Sequence, residues 1–323
     1  MNISLQKLSA AAQATGFNAE ILEKVAQLLE LLAKFQQHPY LKKKLVLKGG
    51  TALNLFYSDV QRLSVDVDLN YIGKEDRMAM LADRPKIDQA LQAVFAREGF
   101  SVKRIPDEHA GGKWLLRYPN AYGRTSNLEI DINFMYRVPL WPIAALDSIN
   151  VGGWQARNIP ILDFNELAAG KISALLARRK ARDLFDSHWI MQSANLDPQR
   201  FRIASVVYGA MNRKDWRTIH IEDINFETIE LVEQLFPTLR FGLLPDRKNA
   251  AEFGRNLVEN CRRLLAPFLQ WNEAERHFLD LLLDQGVIDP TILTTDIQLQ
   301  DRIRRQPLLE WKAIHVRRYK GLT

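Results

Sequence analysis

The stretch VLKGGTALNLFYSDVQRLSVDVDLNYI, Val46–Ile72, joins an apolar run to a glycine pair and ends in two aspartates separated by one residue. From Leu63 to Tyr71 apolar and polar residues alternate. Leu63, Val65, Val67, Leu69 and Tyr71 fall on one side, and Ser64, Asp66, Asp68 and Asn70 on the other. A period of two predicts a strand with one buried face. Asp66 and Asp68 then point the same way with Cα atoms roughly 6.5 to 7 Å apart, so their carboxylates can converge on one cation. An all-oxygen site of this kind suits Mg²⁺, with Mn²⁺ as the alternative. Upstream, Gly49 and Gly50 follow an apolar LVL run, and Thr51 opens an expected helix, TALNLFY. Backbone amides at such a turn can approach a phosphate with no Cβ in the way. A plain tight turn is the simpler reading of a glycine pair taken alone. The Walker and dinucleotide-binding glycine patterns are both absent.

Outward from this stretch, apolar spacing predicts a helix over Asn18–Phe35 with Asn18 as its cap, and another over Lys86–Glu98 ended by Gly99. SVKRI and KWLLRY read as short strands. Alternation returns at Leu128, Ile130, Ile132 and Phe134, with Glu129, Asp131 and Asn133 opposite. Two strands thus carry acids on the face opposite the apolar one, which predicts a sheet covered by helices on one side and open on the other. Beyond a loop over Pro139–Pro160 the strand signal fades. Helical patterns follow at Asn165–Arg179, at Asn249–Ala266 with Pro267 as a stop, and at Asn272–Asp284. A boundary near Ile161 predicts two domains, residues 1–160 and 161–323. The stretch Asn195–Leu244 gives no clear pattern.

The chain has 323 residues, 47% of them hydrophobic and 25% charged, which suits a globular chain with room for two domains. Its single cysteine, Cys261, excludes an intramolecular disulfide and a cysteine-ligated metal centre, and is expected in the core. No basic leader precedes an apolar stretch and no run long enough to span a bilayer occurs, so a cytoplasmic protein without a membrane partner is expected. The formal charge is +6 and the pI near 9.3. Basic residues gather in Leu41–Lys48, in Ala177–Arg182 and in a tail, Asp301–Thr323, that carries a formal +5. These clusters suit a polyanion such as RNA, or are solvated helix faces.

A phosphate cradle, a carboxylate pair and a third acid on another strand match the needs of nucleotidyl transfer, in which carboxylate-held metals align a triphosphate and stabilise the leaving pyrophosphate. The third acid is Asp131, with Glu129 as the alternative on the same face. Further along, Lys171, Arg178 and Arg182 are spaced by seven and four residues and share one face if the helix is continuous.

The segment resembles the polymerase beta-type nucleotidyltransferase superfamily. In particular it resembles the AbiEii/AbiGii toxin family of bacterial type IV toxin–antitoxin and phage-abortive-infection systems. GGTAL (Gly49–Leu53) matches the first family motif and RLSVDVDL (Arg62–Leu69) the second; ELAAGKISALLARRKARDLFD (Glu166–Asp186) is similar to the third and fourth. The resemblance implies an α/β (α+β) fold: a nucleotidyltransferase domain whose mixed sheet is covered by helices on one face, plus a mainly helical C-terminal domain. It implies that Asp66 and Asp68 bind Mg²⁺, that the Gly49–Gly50–Thr51 turn contacts the triphosphate, that Ser64 lies beside the nucleotide and that Lys171 neutralises phosphate charge. The fourth-motif acid is Asp183 or Asp186, with Asp183 favoured. A nucleoside triphosphate is the implied substrate, RNA and first of all tRNA the implied acceptor, and an antitoxin, without need of stable contact, the implied partner. A phosphate on the Ser64 hydroxyl would repel the triphosphate. A small-molecule nucleotidyltransferase, a non-catalytic nucleotide- or RNA-binding module and a metal-dependent nuclease are the competing readings.

Overall fold

The computed structural model describes residues 3–57, 59, 61–106 and 110–322. The chain divides into two compact units: Met1–Arg137, Ile143–Leu162 and Phe236–Leu244 form the first, and Val138–Pro142, Asp163–Leu235 and Pro245–Thr323 the second. Among the described residues no helix is long and apolar enough to cross a membrane.

The first unit is built on a seven-stranded mixed sheet. Its strands are β1 (Leu45–Lys48), β2 (Asp66–Tyr71), β3 (Ser101–Arg104), β4 (Gly111–Pro119), β5 (Thr125–Asn133), β6 (Ala144–Leu146) and β7 (Ile159–Ile161), in the spatial order β3-β4-β5-β2-β1-β7-β6. β2 runs parallel to β5 and β1 parallel to β7, and the remaining pairs are antiparallel. Among its described residues the α-helices of this unit are α1 (Leu5–Thr15), α2 (Ala19–Gln37), α3 (Gly49–Ala52, continued by a wider turn over Leu53–Tyr57) and α4 (Arg77–Arg97).

Asn18 caps α2 by accepting from the Glu20 and Ile21 amides, two of the donors a helix start leaves unpaired. The leucines of α2 at positions 22, 28, 29, 31 and 32 are buried, each stabilising the fold by about 1.5 to 3 kcal/mol relative to exposure. Phe35 of α2 meets Phe95 of α4 edge-on, and Phe95 meets Trp114 of β4, so the helices seal the apolar face of the sheet.

Three local expectations are corrected in this unit. The α4 pattern was expected to begin at Lys86, but the helix starts at Arg77, capped by Asp76, and carries Pro85 inside it. Proline ordinarily ends a helix, which hides the first turns from a pattern search. β2 starts at Asp66 and not at Leu63, because the preceding residues pair elsewhere: the Leu63 amide donates to the Thr238 carbonyl at 2.8 Å and Arg62 bridges Leu239. The stretch read as a loop over Pro139–Pro160 contains β6, and β7 overlaps its end; both are three residues long and Pro160 interrupts the pattern.

The second unit is helical: α5 (Phe164–Arg178), α6 (Ala181–Ile190), α7 (Pro198–Ala210), a short α8 (Thr228–Glu230), α9 (Ala250–Leu265), α10 (Glu273–Asp280), α11 (Ile297–Arg304) and α12 (Pro307–Lys320). Cys261 is buried as expected, and burial pushes its thiol up to about 12. The helical pattern expected over Asn165–Arg179 is α5, which ends where expected; the continuous helix on which Arg182 would share a face with Lys171 and Arg178 does not form. Arg179 takes a left-handed conformation (φ +55°), Lys180 is extended, and α6 is a separate helix. Lys171 and Arg178 therefore share α5, while Arg182 belongs to α6. Such helix ends usually carry glycine; here Arg179 fills the position, paired with Asp223 at 3.1 Å.

Candidate active site

The strand register of the first unit sets the acids and lysines of the open face in a row. Asp68 on β2 lies opposite Lys48 on β1 and opposite Asp131 on β5, and Asp131 lies opposite Lys113 on β4. One step along the strands, Asp66 lies opposite Glu129. Directly paired residues of neighbouring strands project to the same side, so four carboxylates and two ammonium groups share one surface. Lys113 Nζ donates to Glu129 Oε2 at 2.7 Å. Burial raises the Asp131 pKa; Lys48 and Lys113 oppose that shift, while Asp68 and Glu129 add to it. The Lys113 pKa is raised by its bond to Glu129 and by the charges of Glu129, Asp66 and Asp131.

The glycine pair presses against this row. Gly49 has φ +71°, and a Cβ built on it would lie 2.2 Å from Asp68 Oδ2. A Cβ on Gly50 would lie 2.9 Å from Ser64 Oγ and 3.0 Å from the Arg62 guanidinium. Only glycine lets the backbone come this close to the carboxylate and the hydroxyl. Thr51 is fully buried and its hydroxyl donates to the Asp66 carbonyl, which ties the start of α3 to β2. Ser64 is buried beside Gly50. On the same side of β2, Asn70 is buried with its Oδ1 unpartnered among the described residues.

This donor set fits a hard divalent cation: its charges come from carboxylate oxygens, and its glycine cradle would be filled by any side chain. Among the described residues no group of three or more His, Cys, Asp and Glu side chains stands close enough to hold a metal. The fit is one of donor chemistry and strand register: Asp131 lies opposite Asp68, and the carboxylates do not close on one point as they stand.

In the second unit, Lys171 Nζ lies 2.9 Å from Asp183 Oδ1 and 3.0 Å from Asp186 Oδ2. Arg178 Nε reaches Asp183 Oδ2 at 2.7 Å. Lys171 is 9% exposed, and the two aspartates are buried. Burial alone would raise the Asp183 pKa; the Lys171 ammonium and the Arg178 guanidinium outweigh it and hold the carboxyl far below the usual range. The two acids left as alternatives for one motif position both bind the lysine, across the break between α5 and α6.

A family model described as nucleotidyl transferase AbiEii toxin, type IV TA system, matches residues 30–266. The chain belongs to the AbiEii nucleotidyltransferase toxin family. The fold of this AbiEii chain is also similar to that of MenT4, a nucleotidyltransferase toxin from Mycobacterium tuberculosis H37Rv. The likeness covers 93% of this chain and 98% of MenT4 at 18% identity, with a TM-score of 0.58. No curated protein matches the sequence. The AbiEii chain is accordingly a nucleotidyltransferase of a type IV toxin–antitoxin system, with a mixed α/β sheet and helices.

Two participants in the AbiEii carboxylate face lay outside the sequence reading of the site. In the sequence Lys48 reads only as part of a basic run, and Lys113 carries no signal because its place beside Asp131 is a property of strand register. The basic clusters also look different in the fold. Arg178, Arg179 and Lys180 pair with Asp183, Asp223 and Glu230, and Lys44 pairs with Asp83. In the C-terminal tail Lys312 and Arg317 donate to backbone carbonyls, which leaves their charge in place, whereas Arg305 and Lys320 pair with Asp301 and Asp284.

Proposed function

We propose that this enzyme transfers a nucleoside monophosphate from a nucleoside triphosphate to an RNA acceptor, first of all the 3′ end of tRNA, and thereby blocks translation in the cytoplasm. The observation that carries the reading is the row Lys48, Asp68, Asp131 and Lys113 with the glycine turn closed onto Asp68. In the reaction the acceptor oxygen bonds to the α-phosphorus, the bond to the β-phosphate oxygen breaks, and pyrophosphate leaves. Asp66, Asp68 and Asp131 are the residues that would hold Mg²⁺. When bound, that ion offsets charge on the triphosphate and lowers the pKa of the attacking hydroxyl. The Gly49–Gly50–Thr51 backbone offers amides to the phosphates, and Ser64 lines the same turn. Lys48 supplies positive charge at the end of the row. For Lys171 the proposed role is to meet phosphate charge, with Asp183 and Asp186 fixing its ammonium. The cognate antitoxin that a type IV toxin implies is proposed to act without stable contact.

The test is to incubate the protein with total tRNA, Mg²⁺ and each α-labelled nucleoside triphosphate in turn, beside Asp66→Ala, and to resolve the RNA on a sequencing gel. Label on lengthened tRNA that is lost in Asp66→Ala supports the reading. Label on small molecules alone would move the acceptor to that class, and shortened RNA would reverse the assignment to a nuclease.

A further inference from the structure

Two acids on β5, Glu129 and Asp131, face the same side as Asp66 and Asp68, and either could complete a metal shell on sequence grounds. The structure treats them differently. Glu129 lies opposite Asp66, is 41% exposed at its side chain, and is ion-paired to Lys113 at 2.7 Å. Asp131 lies opposite Asp68, the aspartate against which Gly49 is packed. Lys113 is itself the strand partner of Asp131, yet its ammonium is bonded to Glu129.

We infer that Lys113 is a positioning residue that selects the third metal ligand: by pairing with Glu129 it withholds that carboxylate from the cation and leaves the place to Asp131. This rests on the metal-dependent reading above. Its physical basis is competition for one carboxylate. A glutamate paired with an ammonium group offers fewer lone pairs and less net charge to a second cation. Lys113 also sets the charge of the face, since four acids and two lysines share it. Removing one of those lysines deepens the negative potential that a divalent cation meets and frees a fourth acid to bind it.

The test is Mn²⁺ binding, read by the loss of the free-ion signal in electron paramagnetic resonance, which needs no turnover. Lys113 is 56% exposed, so its variants are expected to fold, and their far-UV circular dichroism and melting curves check this. Lys113→Met should bind Mn²⁺ about threefold to tenfold more tightly, the effect of removing one nearby, partly solvated positive charge. Lys113→Arg should keep the wild-type affinity, and Lys113→Met combined with Glu129→Gln should return to it. Unchanged affinity in Lys113→Met, with binding abolished in Asp68→Ala, would overturn the assignment to Lys113 alone. Wild-type protein that binds no Mn²⁺, or binds it equally well as Asp68→Ala, would overturn the metal site and the role of Lys113 with it.

Discussion

Gly49 holds its backbone against the Asp68 carboxylate, where a Cβ would not fit. Its φ of +71° disfavours any side chain, and a Cβ would displace the Asp68 carboxylate. Gly49→Ala should therefore destabilise the first unit by about 1 kcal/mol or more. It should lower nucleotide transfer far more than that loss explains, as a comparison of initial rates at a temperature well below both melting points will show. Equal rates would mean that the Asp68 position is tolerant. Asp66, Asp68, Gly49 and Gly50 were legible in the sequence because alternation and glycine each carry a local conformational rule. Lys48 and Lys113 were not legible as members of the face. Their place depends on which residue of β1, β4 and β5 stands beside Asp68, and register leaves no mark in a single strand.

At the scale of elements, α5 and α6 are held together by Lys171, Asp183 and Asp186, and stability and function must be separated there. Lys171→Met would leave two buried acids short of a partner, a loss of about 3 to 5 kcal/mol, visible as a lower urea midpoint. Adding Asp186→Asn should restore part of the stability but not the transfer rate; recovery of both would reduce Lys171 to a structural role.

Another buried acid, Glu166 on α5, accepts from Tyr208 Oη at 2.9 Å and from the Leu140 amide at 3.0 Å. Burial pushes its pKa from the ordinary 4.5 up to about 7, against the pull of those hydrogen bonds. A folded pKa above the unfolded one means that its contribution is fully present below about pH 4.5 and is lost as the pH rises through about 7. Wild-type melting temperature should thus fall between about pH 5 and pH 8, and Glu166→Gln should flatten that slope. A slope unchanged in Glu166→Gln would assign it to other groups. The helices α2, α5 and α9 were legible from apolar spacing and caps such as Asn18, whereas α7 fell in the stretch without a clear pattern and α12 in a segment that showed only its charge. The end of α5 at Arg179 was legible too, but α6 as a separate helix was not, because arginine turns the chain where glycine is usual, and the strands β6 and β7 are too short to show a period.

For the molecule as a whole, formal charge proved a coarse guide. The basic run at Ala177–Arg182 is largely matched by acids within the fold, so its sum overstates what a polyanion would meet. Arg304 and Arg318 in the tail are exposed. If they contact acceptor phosphates, Arg304→Glu and Arg318→Glu should each weaken RNA binding and flatten the dependence of log affinity on log salt by about one unit. Filter binding across salt concentrations measures this, and parallel slopes would remove the tail from the interface. The fold class was readable at this scale because acids recur on one face of two strands. The central claim is that this carboxylate face is the reaction centre. Its most direct test is an anomalous difference map from crystals grown with Mn²⁺ and a non-hydrolysable nucleoside triphosphate. A peak among Asp66, Asp68 and Asp131 is expected, with the triphosphate against the Gly49–Gly50 turn; a triphosphate bound with no metal at these carboxylates would contradict this assignment of the reaction centre.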